Sequence, residues 1–149
     1  MTDSIAATKV LVDTNILIYA ADLQAGDKNL QAVQLIDDLK AQNRLVVSAQ
    51  VWNEFYRAAT RPNKPPSLSH DDASGTIRDL ADAVRVLPLT RAITLLALDA
   101  IPRHGLSFWD ALIWAAAKES GIPLVYTEDF QHGRDIEGVL IINPLVGSP

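Results

Sequence analysis

A chain of 149 residues with 48% hydrophobic content has material for one packed core and not for two ordinary domains, so a single domain over 1–149 is expected. A formal charge of −5 excludes a protein that grips nucleic acid over its whole surface through Lys and Arg, but not a nuclease whose carboxylates gather a divalent cation to face phosphate. The absence of cysteine removes disulfides, thiolate metal sites and thiol nucleophiles together, and suits a reducing cytoplasm.

The segment from Met1 to Lys9 has no basic stretch followed by an apolar one, and no apolar run approaches membrane-spanning length. A soluble, unexported, cytoplasmic protein with no membrane partner is therefore expected. The first informative stretch is Val10-Leu11-Val12-Asp13-Thr14-Asn15-Ile16-Leu17-Ile18-Tyr19. An apolar β-branched run ends at Asp13 and helix-starting residues follow at once, which places Asp13 at the carboxyl end of a buried strand. Ligands bind at that end of an open α/β sheet. The position equally suits a helix cap, because Asp13, Thr14 and Asn15 all carry short oxygen-bearing side chains.

Asn29 to Gln42 carries Leu30, Val33, Ile36 and Leu39 at three-residue steps among acids and amides, which predicts an amphipathic helix. Arg44 to Ser48 reads as a second strand, and Ala49 to Thr60 as a helix with Val51, Trp52, Phe55 and Tyr56 as its stripe and Glu54 beside it. The prolines of Arg61 to Ser67 make a loop. Ser69 and Asp72 have the spacing of a capping box for a helix to about Ala83, and Val84 to Leu87 is a third strand. Thr90 caps a helix bearing Ile93, Leu96 and Ala100 that Pro102 should end. Ser107-Phe108-Trp109-Asp110 opens an alanine-rich helix closed by Gly121, Pro123 to Thr127 is a fourth strand, and Gly138 to Ile142 a fifth. Strands alternating with helices at this spacing imply a doubly wound parallel α/β sheet with right-handed crossovers.

The first and fourth strands end alike, one at Asp13 and the other at Thr127-Glu128-Asp129. If they flank the point where strand order reverses, both carboxylates face one crevice, and Glu54 and Asp110 stand near helix starts that reach it. Four carboxylates without Lys or Arg among them repel one another unless a cation compensates. Oxygen ligands with neither Cys nor a His pair select Mg²⁺ or Mn²⁺ over Zn²⁺, and such an ion activates water and offsets charge on a phosphodiester. Each acid has a plainer reading: Asp110 as the third helical residue of a Ser107 capping box, Glu54 as a solvated helix acid, Asp129 as a turn cap with Glu128 as a second candidate for its place.

Val10-Leu11-Val12-Asp13-Thr14-Asn15, Glu54, Ser107-Phe108-Trp109-Asp110-Ala111-Leu112-Ile113 and Leu124-Val125-Tyr126-Thr127-Glu128-Asp129-Phe130-Gln131-His132-Gly133 together resemble the PIN domain, and more specifically the VapC-type ribonuclease toxins of toxin–antitoxin pairs. The resemblance spans essentially the whole chain. It implies a three-layer sandwich around a five-stranded parallel sheet in order 3-2-1-4-5, with Asp13, Glu54, Asp110 and Asp129 as an acidic quartet around Mg²⁺ or Mn²⁺. Asn15 and Thr127 match its supporting polar residues. The implied activity is hydrolysis of RNA to 5′-phosphate and 3′-hydroxyl ends, and the implied partners are a small cognate antitoxin and a second copy of the chain.

Arg57, Arg61 and Lys64 follow Glu54 within one helix end and its loop, placed to meet RNA phosphates or simply to suit the helix dipole. His70, His104 and His132 are scattered, which disfavours a metal-free ribonuclease built on a histidine pair. Trp52, Trp109 and Trp114 sit on apolar stripes and read as core or interface. Among rival functions, a haloacid-dehalogenase-type phosphatase with an Asp13 nucleophile needs a second Asp where Asn15 stands. A receiver domain needs a Lys where Asn143-Pro144 follows the last strand. A PIN-like scaffold that binds RNA or protein without cutting is the alternative from a different class.

Overall fold

The computed structural model describes residues 8–130 and 132–145. Most of the N-terminal segment read for a signal peptide, and Gln131 of the fourth-strand motif, lie outside the described residues.

Three consecutive fully buried residues, Val10–Val12, form β1. A strand buried on both faces reads as a continuous apolar run, which is why this one shows no alternation. It pairs in parallel with β2 (Leu45–Ser48) on one side and β4 (Leu124–Tyr126) on the other, the latter through Leu11 opposite Val125 and Val12 opposite Tyr126. Beyond β2 lies β3 (Arg85–Leu87), and beyond β4 lies β6 (Val139–Ile142), both parallel. These five strands have the order expected.

A sixth strand departs from that expectation. Residues Arg134–Ile136 (β5) pair antiparallel with β6 at the sheet edge, giving the order β3-β2-β1-β4-β6-β5 among the described residues. The hairpin turns at Glu137 and Gly138, with φ of 52° and 90°, the doubly left-handed geometry of a tight hairpin. A three-residue strand with two charged members and Glu, not Asn or Asp, at the turn gives little sequence signal.

The helices are α1 (Thr14–Ala21), α2 (Asp27–Ala41), α3 (Ala49–Ala59), α4 (His70–Ala83), α5 (Arg91–His104) and α6 (Phe108–Glu119). Helix α1 packs on α2 and α3, α3 packs on α4, and α5 on α6, with the sheet as the layer between the two groups. Serine and threonine set the helix starts. Ser48, Ser69, Thr90 and Ser107 accept the backbone N–H groups of Val51, Asp72, Ile93 and Asp110, respectively.

Two helical expectations need correction. Helix α2 buries Asn29, Ala32, Ile36 and Leu39, while Leu30 and Val33 face out, Leu30 at 68% exposure. Steps of three drift around a helix of 3.6 residues per turn, so a run at three-residue spacing cannot stay on one face. Pro102 lies inside α5, which continues to His104 and closes on Gly105 in the left-handed conformation, its N–H donating to the carbonyl of Ile101 at 2.9 Å. A proline in the final turn removes one hydrogen bond where few remain to lose, and the glycine cap supplies the actual stop.

The core is continuous through both layers. Trp114 and Phe55 are its largest fully buried side chains, and the Trp114 indole N–H donates to the Ile136 carbonyl at 2.9 Å, tying α6 to the extra edge strand. Burying each such side chain contributes about 1.5–3 kcal/mol before ordering costs. Trp52 is half-buried, whereas Trp109 is 61% exposed beside Phe108 and belongs to no core. No helix among the described residues is long and apolar enough to cross a membrane.

Candidate active site

The site forms where β1 and β4 end side by side, β2 having left to one side of β1 and β4 having arrived on the other. The Asp13 N–H extends the ladder by donating to the Tyr126 carbonyl at 2.9 Å, which brings Asp13 and Thr127 abreast at the strand ends. One Asp13 carboxylate oxygen caps α1 by accepting the Thr14 N–H at 2.7 Å; the other accepts the Thr127 hydroxyl at 2.8 Å. Asp13 therefore caps α1 through one oxygen and is tied to the end of β4 through the other.

Thr127 is fully buried and acts as a junction. Its hydroxyl oxygen also accepts from the Asn15 side-chain amide at 3.3 Å and from the Asp129 N–H at 3.1 Å, and the Asn15 carbonyl accepts the Glu128 N–H at 3.4 Å. Asn15 and Thr127 thus join the end of β1 to the turn that carries Asp129.

Glu54 arrives from α3. The Thr14 hydroxyl donates to one of its oxygens at 2.8 Å and the Gln50 amide to the other at 2.8 Å. Thr14 and Gln50 were not singled out from the sequence as holders of Glu54. Gln50 stands one helical turn before it, a spacing at which side chains on a helix meet, while Thr14 offers no signal beyond its place after Asp13. Asp110 stands in the first turn of α6, its N–H on the Ser107 hydroxyl at 3.1 Å, so the serine caps the helix.

These acids act on one another. Burial raises the Asp13 carboxyl from an ordinary 3.8 to about 6; the hydrogen bonds from Thr127 and Thr14 oppose that shift, and the charges of Asp129 and Glu54 add to it. Asp110 is raised too, chiefly by burial, against a hydrogen bond from Ser107 and with Asp129 and Glu54 again adding. Asp129 and Glu54 are therefore the charges common to both, and no cation is among the groups acting on either. Glu128, although adjacent to Asp129, is held apart from this set. Burial works against its ionisation, but hydrogen bonds from Lys28 and Tyr19 and the Lys28 charge outweigh it and keep its carboxyl below the usual range.

An open cleft of about 400 Å³ adjoins Asp129, lined also by Thr14, Asn15, Tyr19 and Asp22 and by Arg61, Lys64 and Pro65 of the proline-rich loop. Arg61 and Lys64 thus share a cleft with Asp129; Arg57 is exposed on α3 and does not line it. The three histidines stand apart, each with a local partner: His70 with Tyr56, His104 with Glu137 and His132 with the Asn143 N–H.

All-oxygen donors, an absence of thiols and the uncompensated repulsion at Asp13 and Asp110 fit a hard divalent cation. Among the described residues no three acidic or imidazole groups are gathered tightly enough to enclose an ion as they stand. The donor chemistry suits a metal, and the charges of Asp129 and Glu54 raise the carboxyls of Asp13 and Asp110.

The family model for the PIN domain matches residues 10–134. Among solved structures, the fold is similar to that of Mycobacterium tuberculosis VapC20, described as a sarcin-ricin-loop-cleaving toxin, with 24% identity and a TM-score of 0.63 over 81% of this chain and 90% of that one. It is similar also to a chain of a toxin–antitoxin complex from Klebsiella pneumoniae (20% identity, TM-score 0.65, 91% and 98% covered) and to one of DNA-bound VapBC from Salmonella typhimurium (18%, 0.63, 90% and 96%). At such identities the likeness shows the fold. No curated protein sequence matches.

Proposed function

The chain belongs to the PIN-domain family, and we propose that it is a metal-dependent endoribonuclease of the VapC toxin type, one domain acting in the cytoplasm. The observation that supports this reading is that the charges of Asp129 and Glu54, from two separate elements, both act on the carboxyls of Asp13 and Asp110, from two others, with no cation among the groups acting on either. Idle carboxylates in that arrangement have only an electrostatic cost.

Asp13 and Asp110, with Asp129 and Glu54, would hold Mg²⁺ or Mn²⁺. When bound, that ion supplies an activated water and offsets charge on the phosphodiester. The chain's own residues do the rest. Thr127 and the Thr14 N–H fix both oxygens of Asp13, while Thr14 and Gln50 fix those of Glu54, so neither carboxylate spends rotamer freedom when substrate arrives. Glu54 orients the attacking water, and Arg61 and Lys64 across the cleft hold phosphates flanking the scissile bond. The products are 5′-phosphate and 3′-hydroxyl ends.

For partners, the likeness to chains from toxin–antitoxin complexes supports a small antitoxin, which in this reading places a basic or aromatic side chain in the acidic crevice. Pairing with a second copy is part of the same reading.

The deciding experiment is cleavage of end-labelled RNA by the purified chain with Mg²⁺ or Mn²⁺, against EDTA and against Asp110→Asn. Cutting that needs metal and is lost in the variant supports the proposal. Cutting that persists in both overturns the site. RNA left intact by folded, partner-free protein under either metal favours a non-catalytic scaffold, a reading to which the open spacing of the acids also lends itself. The role of Arg61 is tested by the salt dependence of RNA binding in Arg61→Ala, whose log–log slope should fall by about one unit.

A further inference from the structure

Asp129 is the exposed member of the quartet, and its main-chain anchor is the N–H on Thr127. Its two sequence neighbours are both held. Phe130 is buried in the core on one side. On the other, Glu128 is gripped at both carboxylate oxygens, by the Tyr19 hydroxyl at 2.6 Å and the Lys28 ammonium at 2.8 Å. The ammonium also donates to the Tyr19 hydroxyl at 3.3 Å and lies 4.9 Å from the centre of its ring. Three side chains from α1, α2 and the turn after β4 thus form a closed triangle, and one of them, Tyr19, lines the cleft beside Asp129.

We propose that Lys28, acting through Tyr19 and Glu128, is a positioning residue: it clamps the turn after β4 to α1 and α2, sets Asp129 in the site, and keeps the adjacent Glu128 from competing for Asp129's place. This rests on the ribonuclease reading for its kinetic consequence and on the geometry alone for its structural one. Lys28 is solvent-exposed, with side-chain exposure of 46%. An exposed ion pair stabilises a fold little, so a merely structural role predicts almost no effect of its removal on either rate or affinity. A clamp predicts a selective one, because a reacting group displaced by a fraction of its bond length to substrate slows chemistry without weakening remote binding.

The test has two arms on the full chain. In metal-free protein, amide hydrogen exchange at Glu128 and Asp129 should quicken about tenfold in Lys28→Met and in Glu128→Gln, and should stay near wild type in Lys28→Arg. In Mn²⁺-dependent RNA cleavage, kcat of Lys28→Met should fall about tenfold with KM unchanged, and Lys28→Arg should restore it to within about twofold. Unchanged exchange in Lys28→Met overturns the clamp. A raised KM with unchanged kcat overturns it as well, making Lys28 a direct phosphate contact. If the wild-type chain cuts no RNA, the ribonuclease reading fails, and the exchange arm still decides the clamp.

Discussion

Two acidic groups at opposite ends of the sheet region show how differently one protein treats the same chemistry. Glu137, in the β5–β6 turn, is exposed and surrounded by partners: the His104 ring nitrogen at 2.7 Å, Arg103 at 3.4 Å, and Lys118, which donates to the Glu137 carbonyl at 2.6 Å. The His104 hydrogen bond, with the neighbouring positive charges, holds its carboxyl below the usual range. Asp13 is buried at the end of β1, acted on by the charges of Asp129 and Glu54, and is raised to about 6. The first acid is satisfied by the fold itself. The second is hydrogen-bonded into one orientation yet left without a countercharge, the condition of a group arranged for a partner the chain does not supply.

The largest effect that would break this contrast is on activity. Asp13→Asn should lower metal-dependent RNA cleavage by about a thousandfold or more, measured as single-turnover rate at saturating Mn²⁺, since it removes a proposed ligand while keeping the side chain's size and one of its two acceptor oxygens. Cleavage within tenfold of wild type would show that the buried acid is not part of the chemistry. Thr127→Val is next. It deletes the hydroxyl that donates to Asp13 and accepts from Asn15 and the Asp129 N–H, and should cost about 10–100-fold in kcat while the similar side-chain volume keeps the fold.

The proton affinities sharpen the contrast further. The folded state binds the Asp13 proton up to about pH 6, the unfolded state only to 3.8, so its contribution to stability is present below 3.8 and lost as pH rises through 6. Asp110 is shifted in the same direction. Glu128 and Glu137, shifted down, act oppositely: their contribution is present above their unfolded value of 4.5 and lost as pH falls below it. Between about pH 5 and 7.5, then, the buried acids should dominate, and metal-free protein should lose about 1.4 kcal/mol from Asp13, the rest of its effect having gone below pH 5. Thermal melts without metal should show a lower midpoint at the higher pH. Saturating Mn²⁺ should remove most of that fall, and Asp13→Asn should flatten it and stabilise the metal-free chain at pH 7.5 by about 1–2 kcal/mol. A melting midpoint that rises over this range would reverse the assigned environment of Asp13.

How much of this could be read from the sequence follows from which forces are local. Strands buried on both faces announce themselves as Val10–Val12 and Leu45–Val47 do, and the caps at Ser69, Thr90 and Ser107 were legible because each is a short-range bond between a hydroxyl and an N–H three residues on. Asp13, Asp110 and Asp129 stand where the sequence puts them, after strands or in a helix's first turn, whereas Glu54 lies in the middle of α3 and not near its start. The partners that fix these acids were not legible. Thr14 with Glu54 spans 40 positions and Lys28 with Glu128 spans 100, and nothing in composition or periodicity pairs them. The face of α2 was misread because Leu30 and Val33 are apolar yet exposed, and apolar residues are common on surfaces. The extra strand was missed because Arg134–Ile136 gains its place from pairing with β6 and from the Trp114 hydrogen bond, and not from its own pattern.

The smallest expected effects belong to the satisfied acid, and they are informative for being small. Glu137→Gln keeps the shape and hydrogen-bonding reach of the side chain but removes a charge that solvent already screens. It should shift the melting midpoint by no more than about 2 °C and leave cleavage within about twofold. Glu137→Asn separates the ion pairs from the backbone at the same position. It shortens the side chain away from His104 and Arg103, but Asn tolerates the φ of 52° better than Glu does. If backbone conformation outweighs exposed ion pairing there, Glu137→Asn melts no lower than Glu137→Gln. If it melts several degrees lower, the cations around Glu137 hold the hairpin more firmly than exposed pairs usually do, and the edge strand that receives Trp114 depends on them.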